Sequence, residues 1–297
     1  MMETKPAVLV VGGDSLVGGG TARAMTLQGH DVYTTTRRRD TVQGNRVYLD
    51  FESDAPFRAP SNVSYAFLIA AATSYERCER DPQARVINEQ LIPQMVATLL
   101  EQGLHVTFIS TNSVFGGERP WPHEDDAHTP LIPYARQKSS GEAEIRASAE
   151  RLGALSRLNI VRLTKILNAG VSPLPAWLAA WKRHQPIEPF ADLVFAPISL
   201  AFVADALARI GERRVSGNLH ISGAANISYV DLANALARKL GVDANLIRPT
   251  TAVAKGVNIA FKPKYSGLGM KRTKQLCGID PQSLDQLVDD LIADIKT

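Results

Sequence analysis

With 297 residues, 45% of them hydrophobic and 21% charged, the chain can bury a sizeable core and has the length of one large α/β unit or about two domains. A formal charge of +3 with no like-charge block argues against a disordered tail and against nucleic acid as a partner, while leaning slightly towards anionic small molecules. Two distant cysteines, Cys78 and Cys277, outside any CxxC or Cys/His cluster, argue against a disulfide framework or structural zinc and fit a reduced, cytoplasmic setting.

The first residues, "MMETKPAVLVVGG", lack the long apolar region and cleavage site of a signal peptide. No apolar segment reaches membrane-spanning length, so a soluble protein without a membrane partner is expected. "AVLVVG" then reads as a buried strand, and "VLVVGGDSLVGGGTARAMTLQG" as strand, glycine turn and helix, the helix running from Val17 to Gln28 and closed by Gly29. In such turns the unpaired N–H groups and the positive dipole end of the helix face a dinucleotide pyrophosphate. Gly12 and Gly18 sit where a GxxGxxG pattern wants them, with Ser15 in the middle place and Leu16 and Val17 completing the stretch. Serine is small enough for phosphate to approach, and its hydroxyl can bond to it; the other reading is a tight turn with close helix packing and no ligand.

The second strand, "HDVYTTT", leads into "TTTRRRD". An acidic residue at that place would accept bonds from the ribose hydroxyls of NAD; arginines stand there instead. Arg37 or Arg38 can clamp a 2′-phosphate, which prefers NADP(H) and leaves NAD(H) possible, or both belong to a solvated basic loop. Asp50, after the third strand "NRVYLD", is either an acceptor for the adenine amino group or a turn former.

A fourth strand, "YAFLIAAA", precedes a helical pattern from Pro82 to Gln102 closed by Gly103. The fifth, "LHVTFIS", runs into "FISTNSVFGG", and the carboxyl ends of parallel strands are where open α/β sheets bind ligands. Thr111 and Ser113 alternate onto one side there if the strand continues. The loop "HEDDAH" tempts as a metal cluster, but lies between prolines and reads as a polar loop; no metal is expected. A third helix, Tyr134 to Leu152 closed by Gly153, carries Tyr134 and Lys138 four residues apart, hence on one face. A tyrosine with its usual pKa near ~10 is a sluggish acid at neutrality, and a neighbouring ammonium would lower it.

After the sixth strand, "LNIVRL", Lys165 stands near the expected cleft with an open role, and the rhythm changes. "NAGVSPLPAWLAAWKRHQPIEP" holds four prolines around a short helix whose Trp177 and Trp181 share a face, more for packing than for stacking on a base or sugar. "FAPISLAFVADALARIG" and "NLHISG" look like returns to the main sheet, and "ANLIRPTTAVAKGVNIAFKPKYSGLG" is irregular and basic. The alternation of strands and helices predicts a Rossmann-like, doubly wound parallel sheet. Residues 1–165 with 191–222 would form it, and 166–190 with 223–297 a smaller, discontinuous substrate domain.

The glycine turn, Ala70, Ala71 and Ala72 ending the fourth strand, "STNSVFG" ending the fifth, and YxxxK, in that order, resemble an extended short-chain dehydrogenase/reductase of the NAD-dependent epimerase/dehydratase family. "TSYERCERDPQARVIN", "WPHEDDAHTPLIPYARQKSSGEAEI" and "FKPKYSGLGMKR" are similar, within it, to the dTDP-4-dehydrorhamnose reductases and their relatives, over nearly the whole chain. The resemblance implies NADPH reduction of the 4-keto group of a nucleotide-linked deoxysugar. Tyr134 would donate the proton, Lys138 hold the nicotinamide ribose and tune Tyr134, and Thr111 orient the carbonyl. Ser113, Lys262 and Lys264 would meet the nucleotide-sugar substrate, although solubility equally accounts for the basic cluster that Lys271 and Arg272 complete. Asn112 and Ser113 stand where the reductases carry Asp-Tyr and the dehydratases Asp-Glu, which argues against a dehydratase and leaves the substrate open. An epimerase that retains its nicotinamide and a non-catalytic NADP-binding regulatory subunit remain alternatives. A homodimer through the helices from Pro82 and Tyr134 is possible.

Overall fold

The structure, a computed structural model, describes residues 5–53 and 56–296. Seven strands form one parallel sheet: β1 (Ala7–Val11), β2 (Val32–Thr36), β3 (Arg46–Tyr48), β4 (Val63–Leu68), β5 (His105–Thr111), β6 (Leu158–Leu163) and β7 (Gly217–Ile221). Their spatial order, β7-β6-β5-β4-β1-β2-β3, reverses direction between β1 and β4. That reversal opens a crevice at the carboxyl ends of the strands, the place where doubly wound folds bind ligands. Every residue of β1 and β6 is buried, which explains why their sequences show apolar runs instead of alternation.

Helices cover both faces. On one side α1 (Leu16–Leu27) packs with α7 (Leu200–Arg213), sharing a core of Met25, Val203, Leu207 and Ile210 with Val8, Val10 and Phe67 of the sheet. On the other, α4 (Ile92–Glu101) and α5 (Pro133–Arg151) bury Ile92, Val96, Leu99 and Ile145 against Leu9, Val106 and Phe108. A third core gathers α6 (Leu174–Lys182), α8 (Tyr229–Leu240) and α10 (Leu284–Lys296) around Trp177, Trp181, Leu236 and Leu287. Helix α9 (Lys271–Cys277) turns back to the sheet, where Met270, Cys277 and Ile279 join the α1/α7 side.

The helical pattern read from Pro82 to Gln102 is broken. The chain forms α2 (Tyr75–Arg80), α3 (Pro82–Val86), a π turn over Ile87–Leu91 and then α4. Pro93 has no N–H to give to the carbonyl four residues back, and the ladder widens just upstream of it. The wide turn carries Asn88 into the interior. Its carbonyl oxygen lies 2.5 Å from where a Cβ on residue 141 would stand, so only glycine lets α5 approach it this closely.

Candidate active site

The glycine turn is held by its own side chains. Ser15 caps α1: its Oγ accepts from the N–H of Gly18 at 3.0 Å and donates to the carbonyl oxygen of Gly12 at 2.8 Å. Both hydrogen bonds lie within the turn, so the Ser15 hydroxyl proton is engaged there and is not free for a phosphate. Gly12 has φ of +95°, and a Cβ on it would come within 2.7 Å of the Ala70 nitrogen; one on Gly18 would lie 2.1 Å from the Gly12 oxygen. The Gly12 N–H donates to Thr35 Oγ1 at 2.9 Å, tying the turn to β2. A backbone cradle emptied of side chains, at the start of a twelve-residue helix, fits a pyrophosphate.

Two clefts meet above this turn. The first, of ≈ 650 Å³, is lined by Gly12 and Ser15, by Arg37 and Arg38 after β2, by Asp50 after β3 and by Ala70, Ala71 and Ala72 after β4. Asp50 also accepts from the Glu52 N–H at 3.2 Å, so it lines the cleft and shapes its turn at once. Arg38 and Arg46 both pair with Asp14, whose other carboxylate oxygen accepts from Thr36 at 2.7 Å. Burial pushes the Asp14 carboxyl up, but Thr36, Arg38 and Arg46 outweigh it and hold the group below the usual carboxylate range. Arg37 lines the cleft with no ion pair among the described residues.

The second cleft, of ≈ 790 Å³, shares Ser15, Ile69, Ala71 and Thr73 with the first. Its lining brings Leu16 and Val17 of α1 together with Thr111, Ser113, Tyr134 and Lys138. Lys165 and Lys262 border the same space, the latter paired with Asp192 at 2.7 Å. Lys264 is not in this lining; its ammonium lies 5.4 Å from the Tyr265 ring centroid.

Tyr134 and Lys138 leave one face of α5, and both are buried, at 9% and 3% exposure. Thr111 Oγ1 is 3.2 Å from Ser113 Oγ, and the Tyr75 ring lies 5.3 Å from that of Tyr134. The Lys138 ammonium donates to the Ile109 carbonyl oxygen at 3.0 Å and lies 4.0 Å above the Phe108 ring. Burial lowers it to about 8, with Glu142, one turn further along α5, pulling the other way. The expectation of a depressed Tyr134 pKa is corrected here: burial drives the phenol above its ordinary value, and the Thr111 hydroxyl offsets only part of that. Desolvation of the anion outweighs an ammonium whose hydrogen bond goes to the β5 main chain.

Several contributors lay beyond sequence reasoning. Asn88 donates to the Ala72 carbonyl and to Gln137 Oε1, each at 2.9 Å, and accepts from the Ala72 N–H at 3.1 Å, fixing the alanine wall. Asn112 donates to the carbonyl oxygen of Ser266 at 2.9 Å, joining the end of β5 to the irregular late segment. Behind Lys138 a fully buried ion pair links Glu142 to Arg162 at 2.7 Å. Nothing in the local sequence marks these residues, because their partners are 16 to 154 positions away. Of the tempting groups, Glu124 and Asp125 bind Arg272, and Trp177 and Trp181 fill the third core. Among the described residues no group of acidic, histidine or cysteine side chains is arranged to hold a metal ion, and no helix is long and apolar enough to cross a membrane.

The chain is 26% identical over 291 residues to a dTDP-4-dehydrorhamnose reductase of Streptomyces griseus, covering 93% of this chain and 90% of that protein. It is 29% identical over 208 residues to a probable dTDP-4,6-dihydroxy-2-methyloxan-3-one 4-ketoreductase of Streptomyces antibioticus, 68% of each. The dTDP-4-dehydrorhamnose reductase of Bacillus anthracis str. Ames, solved in complex with NADP, superposes with a TM-score of 0.80 over 100% of both chains at 19% identity, a likeness of fold. The RmlD substrate binding domain family matches residues 6–297, and the chain belongs to that family.

Proposed function

We propose that the protein is an NADPH-dependent oxidoreductase that reduces the 4-keto group of a nucleotide-linked deoxysugar. The observation that carries this reading is the convergence of Thr111, Tyr134 and Lys138 on one cleft continuous with the glycine turn. Gly12, Gly18 and the α1 terminus would hold the pyrophosphate, with Ala70 to Ala72, Arg37 and Arg38, which line the same cleft, holding the adenosine side. The reduced nicotinamide, when bound, supplies the hydride. NAD(H) binds the same cradle less well.

The remaining chemistry belongs to the chain. Thr111 and Tyr134 direct hydroxyls at the substrate carbonyl oxygen and orient it. As hydride reaches the carbon, that oxygen becomes an alkoxide, far more basic than a phenolate, so even a phenol with a raised pKa gives up its proton to it. The high pKa keeps Tyr134 protonated and ready across neutral pH. Lys138, charged below about pH 8, stabilises the phenolate left behind and donates to the ribose hydroxyls. Ser113 and Lys262 line the sugar-nucleotide side, Lys264 standing outside it. Phe195 and Tyr229, stacked with ring centroids 4.3 Å apart, add an apolar wall to the cleft.

NADPH oxidation followed at its absorbance maximum tests this directly. Turnover is expected only when a 4-keto nucleotide sugar is supplied; no turnover across a panel of such sugars with different bases would overturn it. A nicotinamide that survives purification and is regenerated each cycle would instead mark an epimerase.

A further inference from the structure

Within the cofactor reading above, the glycine turn contains a charge that works against it. Asp14 lies inside the turn, between Gly13 and Ser15, and is exposed at the mouth of the adenosine-side cleft. Its carboxylate accepts from Thr36 at 2.7 Å and Arg38 at 3.1 Å, and also from Arg46. Thr36 is itself fixed, because its hydroxyl also accepts from the Arg38 N–H at 3.0 Å. The Arg38 guanidinium, which lines the cleft, therefore already shares with Arg46 a carboxylate of the protein's own, which offsets one of their two charges. Arg39, the third arginine of the run, is turned away over the Tyr48 ring, 3.9 Å from its centroid. Only Arg37 lines this cleft without an ion pair among the described residues.

We infer that Asp14 is the residue that sets the choice between phosphorylated and unphosphorylated dinucleotide. A 2′-phosphate entering here must share or displace the contact between Arg38 and Asp14 and meets a carboxylate of its own sign. A free ribose hydroxyl meets an acceptor instead. The arginines attract NADP and Asp14 moderates them, so both dinucleotides are admitted and NADP keeps a modest lead.

The test uses the full-length protein and titration calorimetry with 2′,5′-ADP and 5′-ADP, which carry the discriminating group but no nicotinamide. Asp14→Asn is expected to raise the ratio of 2′,5′-ADP to 5′-ADP affinity by roughly fivefold, the scale of one exposed charge contact. Asp14→Ser, which removes the charge and most of the side chain, should shift the ratio the same way, while Arg37→Ala should lower it. An unchanged ratio in both Asp14 variants overturns the inference while leaving dinucleotide binding intact. Failure of either nucleotide to bind the unmodified protein overturns it together with the cofactor reading.

Discussion

The ammonium of Lys138 donates to the carbonyl oxygen of Ile109 at 3.0 Å, a bond between the second turn of α5 and the carboxyl half of β5. It fixes the lysine at the carboxyl edge of the sheet and leaves its two other protons to a bound ligand, the ribose hydroxyls in the proposed function. Because the lysine is 3% exposed, its charge is costly, and the buried Glu142 behind it keeps that cost from growing further. Charge on Lys138 is thus held near the edge of the physiological range.

A pH limb follows from that position. The lysine pKa is lowered from its usual 10.5 to about 8, so the ammonium is present below pH 8 and lost above it. The ratio kcat/KM is expected to fall as pH rises through about 8, with no limb from Tyr134 below it. In Lys138→Met the residual activity should be low and flat over the same interval, and a retained limb would assign it elsewhere.

Tyr134→Phe removes the proposed proton donor and keeps the ring that packs on Tyr75. Turnover is expected to drop by about a hundred- to ten-thousand-fold, the usual worth of a placed general acid. Quenching of tryptophan fluorescence by NADPH should be unaltered, and a loss of cofactor binding in parallel would make Tyr134 a structural residue.

Gly18→Ala places a methyl 2.1 Å from the Gly12 oxygen, and that neighbour is backbone which cannot swing aside. The turn must open, breaking the Ser15 cap worth about 1 kcal/mol. NADPH affinity is expected to fall at least tenfold while far-ultraviolet circular dichroism stays unchanged. Unaltered affinity, measured by calorimetry, would remove the glycine turn from the cofactor site.

Asn88→Ala strips the buried partner from the Ala72 N–H and from Gln137 Oε1, and leaves the Ala72 carbonyl with the Cys78 thiol alone. Unpaired buried groups of this kind together cost about 2–4 kcal/mol. Urea denaturation should show that loss, accompanied by weaker NADPH binding through the loosened alanine wall. A stability loss with unaltered binding would confine Asn88 to folding.

Acid should destabilise the fold through His220. Burial and then the adjacent Arg162, from which Nε2 accepts at 3.2 Å, lower its pKa from 6.5 to about 3, against the smaller opposite pull of the Gly269 oxygen, to which Nδ1 donates at 2.9 Å. The unfolded chain therefore binds a proton that the folded one refuses, so this contribution is complete above pH 6.5 and declines as pH falls from 6.5 towards 3. The expected slope is at most about 1.4 kcal/mol per pH unit for this one group. His220→Gln, which keeps an acceptor and a donor, should flatten it, leaving smaller parts from His105 and His128, whose pKa values burial also lowers.

The sequence by itself determined the sheet and the order of the chemistry along it. β1 and β6 are buried throughout because both their faces are covered, glycine is demanded at 12 by a φ of +95° and at 18 by the Gly12 oxygen six residues back, and Tyr134 and Lys138 share a face through the helical repeat alone. These are consequences of local geometry, and local geometry is written in neighbouring letters. Whatever depends on desolvation or on distant partners was decided only in three dimensions. The phenol's pKa rises instead of falling because α5 sinks it against β5, Asn88 becomes a buried clamp because a proline five residues on widens the helix, and Arg38 finds Asp14 across 24 positions. Burial and charge pairing are sums over everything packed nearby, and no short stretch of sequence contains those sums.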